Sequence, residues 1–123
     1  MADVRVSGDT LTIKLSPLDS LLSFQGSFEI PLSHVTNAYV SDFADLQLQY
    51  RLEGLNWGVM KSAGTFANPH GLIFVDIAGE GDCLVIETQG ERIPCIAVQL
   101  PEGQNPNDLA HEIMRKIPDS GNP

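Results

Sequence analysis

Apolar residues recur at every second position through much of this chain, and that period constrains its fold more than any other feature. Near the N-terminus, Val4 and Val6 alternate with polar residues. After Gly8-Asp9 the same alternation continues, at Leu11 and Ile13. A two-residue turn at Gly8-Asp9 sets Val6 opposite Leu11 and keeps the aliphatic side chains of both strands on one face. The chain is therefore predicted to open with a β-hairpin.

Further strands are predicted along the chain. Runs around 28–32 and 35–40 continue the strand pattern, and three compact apolar runs follow, at 72–78, 83–88 and 93–100. Glycine-containing acidic turns separate these three runs, a pattern typical of consecutive antiparallel strands. We therefore expect the last three strands to pair in chain order, as a β-meander.

Two helices are predicted as well. Ser16-Pro17 supplies a cap and a first-turn proline for a short helix directly after the hairpin. Asn105 and Pro106 supply the same combination for a C-terminal helix at 106–117, whose apolar residues form one stripe. Residues 42–52 stay open between a helical turn and a strand, because both patterns fit them.

Together these elements predict a mainly β domain of the α+β class. About seven antiparallel strands form a partly open barrel or two bent sheets, with a short helix after the first hairpin and the C-terminal helix as a cap. The 123 residues are enough for one core, since a chain of this size buries roughly two-thirds of its unfolded surface. We expect a single domain over residues 1–117 and a flexible tail at 118–123.

The order of about seven strands and one amphipathic C-terminal helix resembles the pleckstrin-homology-like barrel. In that fold the helix plugs an open end between two bent sheets, and the resemblance implies the same architecture here. The sequence is also similar to a group of small uncharacterised bacterial proteins, through Leu15-Ser16-Pro17-Leu18, Ile30-Pro31-Leu32, residues 51–58, Gly64-Thr65-Phe66 and Gly71-Leu72-Ile73-Phe74. The resemblance carries no activity over to this chain.

The charge of the chain argues against anionic partners. Sixteen acidic and seven basic residues give a net charge of −9, so the surface repels nucleic-acid phosphates and anionic lipid headgroups. Lipid-binding pleckstrin-homology domains hold phosphoinositides with Lys and Arg around the first hairpin. This chain has Asp9 at that turn, with only Arg5 and Lys14 nearby. We therefore expect no nucleic-acid, phosphoinositide or anionic-membrane partner.

A cytoplasmic location is predicted. The N-terminus lacks the basic segment and apolar run of a secretion signal, and no apolar stretch approaches the roughly 20 residues of a membrane span. Cys83 and Cys95 lie in apolar strand-like runs. Such a setting favours reduced thiols over a disulfide framework.

No residue pattern assembles a catalytic or metal site. His34, His70 and His111 have no partner at a metal-ligand spacing, so no metal is expected. Cys83 lacks the cationic neighbours that lower the pKa of a nucleophilic thiol. The glycines at 54–64 lack phosphate-loop spacing, so no nucleotide or other cofactor is expected.

Arg51, Trp57 and His70 are the predicted binding residues. They lie in or beside the irregular segment 53–71, where a guanidinium and a large ring can anchor a contact. The structural alternative is that Trp57 closes the barrel and Arg51 pairs with a surface acid.

The last two apolar runs are apolar on both faces. One face, which includes Leu84 and Ile96, is assigned to the core. The opposite face carries Val85, Ile93, Cys95 and Ala97. Because a half-exposed sheet normally alternates with polar residues, another part of the chain or another subunit must cover that second face. Homo-oligomerisation is predicted on this ground.

The predicted function is that of a non-enzymatic cytoplasmic interaction module that binds a protein or itself. The strand-and-helix order and the lack of a catalytic constellation favour it. The alternative is a small-molecule binder or small enzyme that uses a pocket near residues 51–71. A deep cavity with converging polar groups would favour that alternative.

Overall fold

The N-terminal hairpin forms in the predicted register. Strand β1 (Ala2–Ser7) pairs antiparallel with β2 (Thr10–Leu15), and Val6 lies opposite Leu11. Gly8 takes a φ of 61° at the turn, which is the left-handed conformation that a primed two-residue turn requires. Strand β3 (Phe28–Pro31) pairs with β2 and completes a small sheet of three strands.

This structure is a computed structural model, which describes residues 2–16, 26–46, 50–56, 62–69, 71–78 and 81–117. The predicted short helix after the hairpin and the predicted tail at 118–123 lie outside the described residues. Within the described ranges, none of the helices combines the length and the hydropathy that crossing a membrane demands.

A larger sheet contains the remaining strands, which are β4 (Val35–Asp42), β5 (Tyr50–Asn56), β6 (Ser62–Asn68), β7 (Gly71–Ile77), β8 (Asp82–Thr88) and β9 (Cys95–Val98). Their order across the sheet is β4-β8-β9-β7-β6-β5. The described strands thus form two sheets rather than a closed barrel. The mainly β class with two sheets is confirmed.

The predicted β-meander over the last three strands is wrong. Strand β9 lies between β7 and β8, parallel to β7 and antiparallel to β8. The prediction that all strands are antiparallel is therefore wrong for the pair of β7 and β9. The reason lies in the composition of β9, where Ile96 and Val98 face one side of the sheet and Cys95 and Ala97 the other. A strand that is apolar on both faces is most stable inside a sheet that is covered on both faces.

The C-terminal helix forms as predicted, over Pro106–Lys116 (α1). The Asn105 side chain caps it, because its Oδ1 accepts hydrogen bonds from the backbone N–H groups of Asn107 and Asp108 at 2.8 and 3.2 Å.

Residues 42–52 contain both of the structures that their sequence allows, a single 3₁₀ turn (Phe43–Leu46) and then the start of β5.

The main core lies between the small sheet, helix α1 and one face of the larger sheet. Helix α1 contributes Leu109, Ala110 and Ile113, all of them buried. Phe28 of β3 packs edge-to-face on Phe74 of β7, with ring centroids 5.1 Å apart. The small sheet and the helix therefore cover this face of the larger sheet.

A second apolar cluster occupies the opposite face of the larger sheet, which we call the second face. Its buried members are Leu46, Phe66, Ile73, Val75, Ile77, Cys83, Val85 and Ala97. Val85 and Ala97 have no exposed surface in the single chain. The apolar residues that motivated homo-oligomerisation are thus covered within the chain, and that prediction loses this support.

Ile93 was assigned to the second face, and that assignment is wrong. It packs in the main core, although Cys95 packs beside the second cluster. Residues 91–94 lie outside any strand, and Thr88 holds them, because its N–H donates to the Pro94 carbonyl and its hydroxyl donates to the Ile93 carbonyl, both at 2.9 Å. The two-residue period therefore begins only at Cys95.

Candidate functional site

The second face carries a cavity of about 580 Å³, which we call the second-face cavity. It lies between edge strand β4, the 3₁₀ turn, the β6–β7 corner and the facing ends of β8 and β9. Its polar wall includes Tyr39, Asp45, Asn68 and Glu87, and its apolar floor includes Leu46, Ile73 and Cys95. Cavities of roughly 300–1,000 Å³ with a mixed lining of this kind are typical of small-molecule sites.

A β-bulge in strand β4 turns Tyr39 toward this cavity. The pairing with β8 shifts between Val35 and Asn37, so one extra residue, Thr36, interrupts the alternation. As a result Val35 and Ala38 both pack in the main core although they are three positions apart. Tyr39, the next residue, therefore faces the cavity, and a bulge that re-aims a side chain is common beside binding sites.

Tyr39 and Glu87 form a hydrogen-bonded pair on the cavity wall. Tyr39 lies opposite Val85, two residues before Glu87 on the same face of β8, so the two are diagonal neighbours across the strands. The Tyr39 hydroxyl donates to Glu87 Oε2 at 2.9 Å. Burial and this hydrogen bond raise the pKa of Tyr39 above its usual range. The phenol therefore stays a neutral donor at physiological pH.

Cys95 borders the cavity directly opposite Glu87 in the β8–β9 pair. Burial, and then the charge of Glu87, raise the pKa of the Cys95 thiol to about 11. Burial, and then the nearby carboxylates of Asp82 and Asp42, raise the pKa of the Cys83 thiol to about 12. Both thiols are free and protonated near neutral pH, so neither is an activated nucleophile.

One side chain of the cavity lining links two of the elements around it. Asn68 at the end of β6 donates from Nδ2 to the carbonyl of Leu46 in the 3₁₀ turn, at 3.1 Å. Asp45 of the same turn is exposed beside it. Among the described residues that line the cavity, two are carboxylates and none is Lys or Arg. The described part of the cavity is therefore negatively charged.

The predicted binding residues are only partly located. The backbone of Arg51 lies in edge strand β5, opposite Phe66 of β6, whereas its side chain is outside what the structure describes. Trp57 and His70 lie outside the described residues. From the predicted 51–71 region, Asn68 is the residue that the structure places at the second-face cavity.

Sequence reasoning missed Tyr39 and Glu87, which are 48 positions apart. Glu87 directly follows the apolar run 83–86, and Tyr39 lies between the apolar residues Ala38 and Val40; these were the available signals. Their proximity depends on the pairing of β4 with β8, which a pattern in one strand does not reveal.

His34 has a different role from the cavity residues. Its Nδ1 lies 2.6 Å from Glu91 Oε2, and its carbonyl accepts a hydrogen bond from the N–H of Gln89 at 2.8 Å. These contacts join the start of β4 to the β8–β9 connection. Across the ranges that the structure describes, no three His, Cys, Asp or Glu side chains are placed to hold a metal ion.

Comparisons with models of protein families, with curated proteins and with solved structures found no match to this chain.

Proposed function

We propose that the protein is a non-enzymatic binding module that holds a small organic ligand in the second-face cavity. The observation that carries this proposal is the Tyr39–Glu87 pair on the wall of a cavity of about 580 Å³. The hydroxyl and the carboxylate can orient a bound ligand, and the apolar floor can cover its apolar surface. Small-ligand sites require both. This develops the small-molecule alternative and moves its pocket from residues 51–71 to strands β4, β8 and β9.

The state of the ionisable groups supports binding over catalysis. A nucleophilic thiol or phenol needs a neighbour that lowers its pKa. Burial and the charge of Glu87 act in the opposite direction on Cys95, whose pKa is raised to about 11, and the pKa of Tyr39 is raised as well. Both groups are suited to donate hydrogen bonds rather than electron pairs.

A protein partner is the second candidate, and a separate observation favours it. The two large apolar side chains that the described residues expose are Tyr39 and Met114, at 39% and 44%. They lie at edge strand β4, since Met114 Sδ accepts a hydrogen bond from the N–H of Ala38 at 3.3 Å. An edge strand flanked by exposed apolar groups is a surface that another chain can contact.

We also propose that the fold is a variant of the pleckstrin-homology-like architecture. Two sheets and a C-terminal helix that buries Ile113 in the main core support this interpretation. The parallel pair of β7 and β9 is the feature in which such a variant would differ from a wholly antiparallel barrel.

The cytoplasmic location and the exclusion of nucleic acid and anionic membranes remain proposals that the net charge of −9 and the free thiols support.

A fragment screen by NMR tests the proposed site. We expect bound fragments to shift the amide resonances of residues 39–46 and 87–95 together in the ¹⁵N-labelled full chain. Cys95→Phe adds a phenyl ring at the cavity floor and should abolish these shifts, whereas Ser7→Phe adds the same ring at the exposed hairpin and should not. Shifts that persist in Cys95→Phe, or that scatter over the surface, would contradict the proposal.

A further inference from the structure

The chemical class of the ligand follows from what the cavity wall can bond. Glu87 offers a carboxylate, and the Tyr39 hydroxyl occupies one of its acceptor positions. A carboxylate accepts up to about four hydrogen bonds, so a ligand that carries several N–H donors can bond to Glu87 without displacing Tyr39. A ligand carboxylate or phosphate would instead meet a like charge.

Glu87 lies next to groups on both neighbouring strands. It accepts a hydrogen bond from the Tyr39 hydroxyl on β4 and lies directly opposite Cys95 on β9, two strands that flank β8 on opposite sides. Burial, and then Glu87, raise the pKa of both groups. Asp45 adds a second carboxylate to the lining. A cation in the cavity is therefore attracted by two carboxylates.

The floor of the cavity sets a second requirement. Leu46 and Ile73 close the floor and are almost wholly covered, at 6% and 1% exposed. The half-buried Leu72 and Cys95 beside them supply the accessible apolar lining, and the Cys95 thiol is uncharged near neutral pH. Such a surface contacts hydrocarbon favourably, at roughly 25 cal/mol per Å² of apolar surface removed from water. A hydrated metal ion would leave this floor unused, whereas an organic cation covers it with its apolar part.

We propose that the second-face cavity selects a small organic cation, a primary ammonium group on an apolar body, with Glu87 as the residue that recognises the charge. This inference rests on the proposed function, since it names the ligand class for the same cavity. The ammonium donates to the Glu87 carboxylate beside the Tyr39 hydroxyl, and the apolar body lies on Leu72 and Cys95. The net charge of −9 on the chain adds long-range attraction for the same ligand.

Three probes that share a phenyl ring and differ in the charge of their polar group test whether the cavity prefers a cation. 2-Phenylethylamine, 2-phenylethanol and phenylacetate are titrated into the ¹⁵N-labelled full chain, and dissociation constants are taken from the amide shifts. We expect the amine to bind on the order of tenfold more tightly than the alcohol, because a hydrogen bond to a charged group is stronger than one between neutral groups. Phenylacetate should bind most weakly.

A matched pair of substitutions tests the role of Glu87. Glu87→Gln should reduce the affinity for the amine to that for the alcohol, while the affinity for the alcohol is unchanged. Glu29→Gln is the control, because it removes the same charge from an exposed position on β3 of the small sheet and should preserve the preference. A preference lost equally in both variants would show that net charge alone selects the amine and would overturn the inference.

Tyr39→Phe provides a second test that does not depend on the folding of Glu87→Gln. It removes the hydroxyl that occupies one acceptor position of Glu87 and leaves the carboxylate, so the affinities should change while the amine still binds more tightly than the alcohol. Loss of that preference in Tyr39→Phe would show that Tyr39 rather than Glu87 recognises the charge and would overturn the inference. If the alcohol or phenylacetate binds the cavity as tightly as the amine in the unsubstituted chain, the ligand class is wrong and the proposed function stands. If none of the three probes shifts residues 39–46 or 87–95, this inference is overturned, and fragment hits in the screen above would still uphold the proposed function.

Discussion

On one face of the larger sheet, Phe74 and Ile96 pack beneath the small sheet and helix α1. On the other face Ile73 and Cys95, their immediate neighbours along the same two strands, border a cavity. Both faces are apolar in strands β7, β8 and β9, so hydrophobicity alone does not distinguish them. The difference comes from what covers each face. The main core and the second-face cavity therefore lie on opposite sides of the same strands.

The largest effect expected from this comparison is the loss of a core side chain. Ile96→Ala should lower the free energy of unfolding by about 4 kcal/mol, because a cavity remains under the small sheet and helix. Ile73→Ala removes the same atoms from the second face and should cost about 2 kcal/mol, because the space joins a cavity that water can enter. Both residues are 1% exposed.

Urea denaturation of the two variants measures this difference. Equal losses would mean that the two faces are packed alike in solution and would contradict an open cavity. Ile73→Ala should in addition weaken the binding of 2-phenylethylamine, whereas Ile96→Ala should leave it unchanged as long as the chain is folded.

Removing the N-cap of helix α1 should weaken only the packing of this helix on the main-core face of the larger sheet. Asn105→Ala leaves two backbone N–H groups of the first turn without the Oδ1 that they bond and should cost about 1 kcal/mol. Asn107→Ala, an exposed position within the same turn, is the control and should change stability by less. The second-face cavity should bind 2-phenylethylamine equally well in both variants. Weaker binding in Asn105→Ala alone would show that the two faces are coupled.

How much of this was predictable depends on the range of each interaction. The hairpin register follows from Val6, Leu11 and the turn at Gly8-Asp9, all within a few residues of one another, and it was predicted correctly. The C-terminal helix was predicted for the same reason, since Asn105 and the apolar stripe belong to one element. Local patterns specify local structure because the groups that interact are already close along the chain.

The placement of β9 and the binding cavity could not be predicted in the same way. A chain-order meander is the simplest pairing for three consecutive strands. The two apolar faces of β9 favour an interior position in a sheet, but they do not show which two strands lie beside it. The bulge at Thr36 changes which residues of β4 face the cavity, and it is visible only once β4 is paired with β8. The Tyr39–Glu87 pair follows from both events.

The β8–β9 connection is where the chain changes from the main core to the second face, and Gly90 lies within it. Gly90 has a φ of 75°, and a Cβ added there would meet the His34 ring at 3.6 Å, an ordinary contact. Gly90→Ala should therefore cost about 1 kcal/mol, through backbone strain alone. Gly8→Ala has a similar φ of 61° with open space around it, so its loss in thermal unfolding should be the same. A much larger loss for Gly90→Ala would show that the His34–Glu91 pair is displaced.

The smallest expected effect concerns the alkylation rates of the two thiols of the second face, Cys83 and Cys95, and leaves stability unchanged. The pKa of Cys95 is raised from 9.0 to about 11, so its thiolate fraction at pH 8 is about a hundredfold lower than that of an unperturbed thiol. Alkylation by iodoacetamide in the folded chain should be slower than in guanidinium by on the order of tenfold to a hundredfold, because the higher nucleophilicity of a thiolate with a raised pKa offsets part of its lower fraction. The rate should rise about tenfold per pH unit up to the pKa. Cys83, with no exposed surface and a pKa of about 12, should react more slowly still.

Mass spectrometry of Cys83→Ser and Cys95→Ser assigns each alkylation rate to one thiol. Rapid labelling of Cys95 at pH 7 would reveal an activated thiolate in the cavity, and it would favour the enzyme alternative over a binding module.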